Sequence, residues 1–152
     1  MKLTSLFMSM LAVLAAGCSS LMLKPADFAW PIEDELKVDS RGMVHEERYT
    51  FSFNVKPLLY EETKDSVSFS GKTFRIIRDV NGFYYLTAPK FKNVYVFAQA
   101  DGALELEKTI PVSQTGLTSP AFNQRSPYVE LINGNDKPIM LTKDGIKEEG
   151  NK

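Results

Sequence analysis

The chain has one cysteine, Cys18, and one histidine, His45, which limits the side-chain chemistry it can perform. One Cys and one His can form neither an intramolecular disulfide nor a closed zinc site with four protein ligands. His45 stands beside Glu46 and Glu47, a setting in which it could act as a base or a metal ligand. A Ser-His-Asp triad would need this same imidazole as its base. We interpret His45 as a surface or strand-edge residue and expect no metal site and no catalytic residue.

Carboxylates are the remaining candidates for acid–base chemistry. Two carboxylates hydrolyse glycosides when they face each other about 5–10 Å apart across a cleft. Consecutive residues of a strand point to opposite faces of a sheet, so adjacent acids do not form such a pair. The acidic runs are Glu33 to Glu35, Glu46-Glu47, Glu61-Glu62 and Glu148-Glu149. A carboxylate-based hydrolase is therefore less favoured than a binding function, and we expect no enzyme.

The segment Asn133 to Asp136 comes nearest to a calcium-binding loop. Such loops space their oxygen ligands as D-x-[DN]-x-[DN]-G and end with a distal Glu. This segment lacks both the alternation and the Glu, so we interpret it as a hairpin turn.

The N-terminus has a pattern typical of export. Lys2 supplies a positive charge, and an apolar run over residues 6–16 is interrupted only by Ser9. The run is shorter than the ~20 residues that a helix needs to cross a bilayer. Small residues at positions 15–17 lead directly into Cys18. The alternative interpretations are an ordinary secretory signal with an incidental cysteine, or a buried apolar helix.

This N-terminal segment resembles the lipobox of bacterial lipoproteins over residues 1–19. The resemblance implies that signal peptidase II removes residues 1–17 and that the Cys18 thiol carries a diacylglyceryl group, commonly with a further acyl chain on the new N-terminus. Ala15 stands where the class most often has Leu. The residue after Cys18 is Ser19 and not Asp. In this class of proteins, that implies sorting to the outer membrane if the organism has two membranes.

Acyl chains on Cys18 would anchor the protein durably. Each buried methylene contributes about 0.8 kcal/mol, and two or three chains bind far more tightly than one. No other cofactor is expected. Residues 18–27 would be the lipidated Cys18 and a tether, whose nine residues 19–27 span at most ~30 Å. Residues 28–147 would form an all-β domain and 148–152 a polar tail.

The rest of the chain predicts an all-β fold. Alternating aromatic and polar residues from Arg48 to Lys56 indicate a half-buried strand, and Val67 with Phe69 indicate a shorter one. Asn81-Gly82 and Asp101-Gly102 are strong hairpin signals. We predict about seven to eight strands in a small antiparallel sandwich or partly open barrel, and no helix.

The two hairpin signals also predict registers. A two-residue turn at Asn81-Gly82 would pair Ile77 with Leu86 and bury a face carrying Phe74 and Ile76 with Val80, Phe83 and Tyr85. A turn at Asp101-Gly102 would pair Phe97 with Leu106. Residues Tyr128 to Ile132 and Ile139 to Thr142 read as a last hairpin.

Three residues are candidates for binding. Tyr84 points away from Phe83 and Tyr85, so it could belong to an exposed stacking platform or be covered by a loop. Residues 113–127 show no strand or helix pattern, and long irregular loops are often functional. Phe122 and Arg125 in this segment could recognise a partner, or Phe122 could instead fix the loop to the sheet.

The function classes follow from these observations. A net charge of −1 argues against a nucleic-acid binder, which would usually show a basic face. The leading hypothesis is a lipid-anchored, non-catalytic domain of the bacterial envelope that binds another envelope protein or a cell-wall polymer. The alternative is a carrier of a lipid or other small ligand, which an oversized apolar cavity would favour. The oligomeric state stays open.

Overall fold

A computed structural model describes residues 32–101 and 103–147 of the protein. The predicted signal peptide, Cys18, the tether and the tail at 148–152 lie outside these residues. The described elements are eleven strands and one helix. In chain order they are β1 (Asp34–Lys37), β2 (Met43–Glu46), β3 (Phe51–Asn54), α1 (Lys56–Thr63), β4 (Thr73–Arg78), β5 (Tyr84–Thr87), β6 (Asn93–Ala100), β7 (Ala103–Pro111), β8 (Pro120–Arg125), β9 (Tyr128–Asn133), β10 (Ile139–Thr142) and β11 (Gly145–Ile146).

The strands form three antiparallel sheets, which confirms the predicted all-β class. The central sheet has the order β1-β4-β5-β6-β7, the second sheet β11-β10-β9-β8, and the third is the β2-β3 hairpin. Because β1 and β7 are free edges within the described sheet, the arrangement is an open sandwich. It has more strands than the seven or eight that we predicted.

The central strands are buried on both sides, since the other two sheets lie on opposite faces of them. All four residues of β5 are buried, and so are Val94, Tyr95 and Val96 in succession on β6. Continuous runs of β-branched and aromatic residues are typical of strands without a solvent-facing side. The sheet therefore has two separate hydrophobic cores.

The first core lies on what we call the packed face of the central sheet. Ile77, Tyr85, Val94 and Val96 project from it and are at most 1% exposed. They pack against the second sheet, which contributes Phe122, Val129, Leu131 and Leu141. This side is closed by one sheet lying on another.

The second core lies on the opposite side, which we call the cavity face. Phe74, Ile76, Tyr84, Leu86 and Tyr95 project from it and are buried. Their cover is the β2-β3 hairpin together with α1, whose Leu59 is buried among them. Several covering side chains are only partly buried, namely Tyr49, Phe51, Phe53, Leu58 and Phe69, as are Phe97 and Leu104 of the central sheet.

Three predictions about local structure are wrong. The expectation of no helix fails at α1, which has a proline near its start, where proline is favoured. The segment 113–127 is not irregular throughout, because residues 120–125 form β8 and pair with β9. Residues 67–69 are not a strand. The predicted hairpin of β9 and β10 is confirmed.

The Asn81-Gly82 hairpin has a different register from the predicted one. Ile77 pairs with Tyr85 and not with Leu86, because the turn contains three residues. Oδ1 of Asp79 accepts hydrogen bonds from the amides of Asn81 and Phe83, both at 2.9 Å. Gly82 takes a φ of +91°, which a type I turn followed by a bulge requires.

This shift by one residue breaks up the predicted core face. Tyr85 lies on the packed face while Phe74 and Ile76 lie on the cavity face, and Val80 is 48% exposed. In the next hairpin the predicted pair of Phe97 and Leu106 is confirmed. A bulge at residue 107 then shifts the register between β6 and β7, and Val96 pairs with residue 108.

Candidate functional site

A cavity of about 780 Å³ lies between the central sheet and the β2-β3 hairpin with α1. Its floor consists of cavity-face residues of β4 to β7, and its walls are the stretch 49–54 and the start of α1. Most of its lining residues are aromatic or aliphatic. The described lining residues are Tyr49, Thr50, Phe51, Ser52, Phe53, Asn54, Pro57, Leu58, Ile76, Arg78, Tyr84, Leu86, Phe97, Gln99, Ala103 and Leu104.

The cavity is well within the size range of small-molecule binding sites, which measure about 300–1,000 Å³. Such sites combine apolar walls with a few placed polar groups. Here the polar side chains include Ser52, Asn54 and Gln99, all of them exposed. The arrangement suits a ligand with an apolar body and a polar end.

Tyr84 on β5 is the centre of an aromatic cluster at the cavity wall. The rings of Tyr49 and Phe51 each meet it edge to face, with centroids 5.4 Å away and interplanar angles of 87° and 88°. Edge-to-face contact is a preferred aromatic geometry. The ring centroid of Phe51 also lies 6.0 Å from that of Phe53. These contacts join the β3 region to the floor of the cavity.

Arg78, at the end of β4, brings a cation to the same cluster. Its guanidinium lies 5.6 Å from the ring centroid of Tyr49 and 5.7 Å from that of Tyr84. Burial raises the pKa of Tyr84, although the nearby charge of Arg78 opposes that effect. The phenol of Tyr84 is therefore neutral near pH 7.

The covering hairpin is held in place by a buried carboxylate. Glu46, at the end of β2, is only 1% exposed. Its oxygens accept hydrogen bonds from the backbone amide and Nε of Arg48, both at 3.0 Å, and from Nη2 at 3.3 Å. Nη2 of Arg48 also lies 3.6 Å from a carboxylate oxygen of Asp34 on β1. This network joins the hairpin to the central sheet.

The helix that completes the cover is attached to the sheet by Glu62. Its carboxylate accepts hydrogen bonds from the amide of Lys92 at 2.7 Å, from the side chain of Asn93 at 2.7 Å and from the hydroxyl of Tyr95 at 3.0 Å. Burial and the Glu62 contact raise the pKa of Tyr95. The two covering elements are thus fastened by separate carboxylates, and the cavity lies between them.

The three predicted binding residues occupy different parts of the molecule. Tyr84 is 3% exposed, so it belongs to the cavity wall rather than to an exposed platform. Phe122 is buried in the core of the packed face. Arg125 is a surface residue on β8, and its Nε lies 3.1 Å from a carboxylate oxygen of Glu130. The structure does not bring Phe122 and Arg125 to the cavity that Tyr84 lines.

The other sequence candidates are surface features. His45 is exposed on β2, as expected, and its Nδ1 forms a hydrogen bond with the hydroxyl of Ser52 on β3. Asn133 makes the turn contact, since its carbonyl accepts a hydrogen bond from the amide of Asp136 at 3.1 Å. Its Oδ1 accepts hydrogen bonds from the amides of Thr118 and Ser119, before β8, at 2.8 and 3.0 Å. Within residues 32–101 and 103–147, no three His, Cys, Asp or Glu side chains are grouped to hold a metal.

Sequence reasoning missed Arg78, although a signal for it exists. Phe74, Ile76 and Arg78 follow one another at the two-residue period of a strand, which places the cation on a core-facing side. A charge at a core-facing position marks a site where something must offset it.

Comparisons with known proteins give no relative for this chain. No family model matches it, and no significantly similar protein was found among curated proteins or solved structures. Over the described residues, no helix has the length and apolar character needed to cross a bilayer.

Proposed function

We propose that this protein is a lipoprotein of the bacterial envelope, anchored by acyl chains on Cys18, whose β domain binds a ligand without catalysis. The observation that supports this function best is the aromatic cavity of about 780 Å³ on the cavity face. A sandwich with two fully packed cores would need no such space. The cavity favours the ligand carrier among the classes considered.

The second candidate is a domain that binds a segment of an envelope protein or a cell-wall polymer. It is favoured by the polar rim, where Ser52, Asn54 and Gln99 are exposed and can form hydrogen bonds. None of the described lining residues is acidic, so the hydrolase class would need a pair of carboxylates at another place.

Site-specific photocrosslinking in intact cells tests this function. A photoreactive phenylalanine analogue replaces Gln99 at the rim, and in a matched control it replaces Asn135, an exposed residue in the β9–β10 turn. A lipid-sized adduct at residue 99 alone would support the carrier, and a protein or glycan adduct there would support the second candidate. Adducts that are identical at both positions, or absent at residue 99, would contradict a binding role for the cavity.

The anchor has its own test, which does not depend on the cavity. Growth with a clickable fatty acid should label the wild-type protein and the Ser19→Ala control, but not Cys18→Ala. The native protein should lack residues 1–17 and have the mass of an acylated Cys18. An unmodified thiol, or a native chain that still starts at Met1, would contradict the lipoprotein assignment.

A further inference from the structure

Arg78 differs from the other arginines of the protein in having no carboxylate partner. The chain has five arginines, and all of them are described. Arg41, Arg48, Arg75 and Arg125 each form an ion pair with an Asp or Glu. Arg78 forms none with a described residue, and its Nε is buried without a hydrogen-bond partner. Its close contacts are the rings of Tyr49 and Tyr84.

The acidic residue next to Arg78 in sequence, and the one whose charge acts on its ring partner Tyr84, are both already engaged. The carboxylate of Asp79 accepts hydrogen bonds from two turn amides and from the hydroxyl of Tyr85, which lies on the packed face. The carboxylate of Glu46 is bonded to Arg48. Arg78 is therefore the one charged residue among the described lining residues of the cavity, and its charge is uncompensated there.

The rings of Tyr49 and Tyr84 replace part of the hydration that this partly buried cation has lost, but it has no carboxylate partner among the described residues and its Nε has no hydrogen bond. The guanidinium group is planar and always charged, and it binds carboxylates and phosphates through two parallel hydrogen bonds. An anionic group at the Arg78 end of the cavity would restore this balance. The remaining walls, which include Phe51, Phe53, Phe97 and Leu104, would contact an apolar chain.

We propose that the cavity binds an amphipathic anion, with its carboxylate or phosphate on Arg78 and its hydrocarbon part against the aromatic walls. This proposal rests on the proposed function and specifies the ligand of the same site. A free fatty acid and a phosphate-bearing lipid share this chemistry, and the test separates them.

The test compares three probes with the same ten-carbon chain: decanoate, monodecyl phosphate and the neutral decanol. The protein is the mature chain, residues 18–152 with Cys18→Ser, so that no acyl chain of its own competes. Displacement of a fluorescent fatty acid gives each Kd. We expect the preferred anion to bind at least about tenfold more tightly than decanol, as a charge-assisted contact predicts. Tighter decanoate indicates a fatty acid, and tighter monodecyl phosphate indicates a phospholipid-type headgroup.

Variants at Arg78 connect that preference to its charge. Arg78→Gln should bring the three Kd values within about threefold of one another, whereas Arg78→Lys should keep part of the preference. Arg125→Gln is the matched control and should leave all three unchanged. Leu104→Trp, which fills the cavity, should weaken all three probes together.

The outcomes distinguish this proposal from the function on which it rests. Equal binding of decanol and both anions by the wild-type chain would overturn the anion proposal but leave a cavity that binds ligands. Failure of all three probes, together with no adduct at residue 99, would overturn the cavity as a binding site. If Arg78→Gln does not fold, the Kd values of the three probes for the wild-type chain and for Arg78→Lys still test whether Arg78 binds an anion.

Discussion

The two faces of the central sheet are covered in different ways. On the packed face, a second sheet lies over Ile77, Tyr85 and Val96, and the side chains between the sheets are almost fully buried. On the cavity face, a two-stranded hairpin and a helix of eight residues cover a sheet of five strands. Two small elements cannot fill that area, and the cavity lies between them. One face thus stabilises the fold, and the other offers space for a ligand.

The largest expected difference concerns leucines on the two faces. Leu131→Ala removes a side chain that is 1% exposed in the packed core, and such a change typically costs about 2–5 kcal/mol. Leu104→Ala removes a partly buried side chain at the cavity, so we expect about 1 kcal/mol or less. Urea unfolding of both variants measures the difference. Equal losses would show that the cavity face is packed as tightly as the other.

The next prediction concerns the contact of Glu46 with Arg48, which holds the β2-β3 hairpin on the central sheet. Glu46→Ala should lower the free energy of unfolding by about 1–3 kcal/mol, because Arg48 would lose its buried partner. Glu47→Ala is the control, since that neighbouring residue is exposed. Hydrogen exchange should become faster in β2 and β3 and stay unchanged in β8 to β10. Faster exchange in both regions would mean that the two faces do not unfold separately.

The fold class could be predicted from the sequence because a two-residue period and strong turn residues act locally. The turn at Asp101-Gly102 gave the correct pairing of Phe97 with Leu106. At Asn81-Gly82 the same rule failed, since the side chain of Asp79 caps a longer turn. A shift of one residue exchanges the faces of a strand. It therefore places Tyr85 on the opposite face from Phe74 and Ile76, although all three are buried as predicted.

The site could not be predicted, because its position depends on which elements cover which face. Tyr84 reads as exposed if the sheet has one buried side, but here both sides are covered. β8 begins at Pro120 in a stretch rich in Ser, Thr and Gln, which has no strand pattern of its own. It forms a strand because it pairs with β9. The period of β4 does place Arg78 on the core side, but only tertiary structure shows that it has no partner there.

A smaller effect is expected for the hydrogen bonds by which Glu62 attaches α1 to the central sheet. Glu62→Gln replaces one acceptor oxygen by an amide that faces the donors of Lys92, Asn93 and Tyr95. A loss of about 1–2 kcal/mol should follow. Exchange should become faster at the amides of α1. Glu61→Gln, whose ion pair with Lys64 is exposed, is the control and should have little effect. Unchanged exchange in α1 would show that packing of Leu59 alone holds the helix.

The smallest effect depends on pH and concerns the loop that follows the helix on the cavity side. Hydrogen bonds from Ser68 and from the amide of Val67 lower the pKa of Asp65 from 3.8 to about 2. A carboxylate with a lowered pKa in the folded state adds stability above pH 3.8, and this contribution is lost as the pH falls through about 2. Asp65→Ala should therefore lower the Tm near pH 6, and the difference from wild type should shrink between pH 4 and pH 2. Asp101→Ala, in an exposed turn, is the control and should show no such trend. If the Tm difference for Asp65→Ala stays constant with pH, contacts other than this carboxylate stabilise the loop.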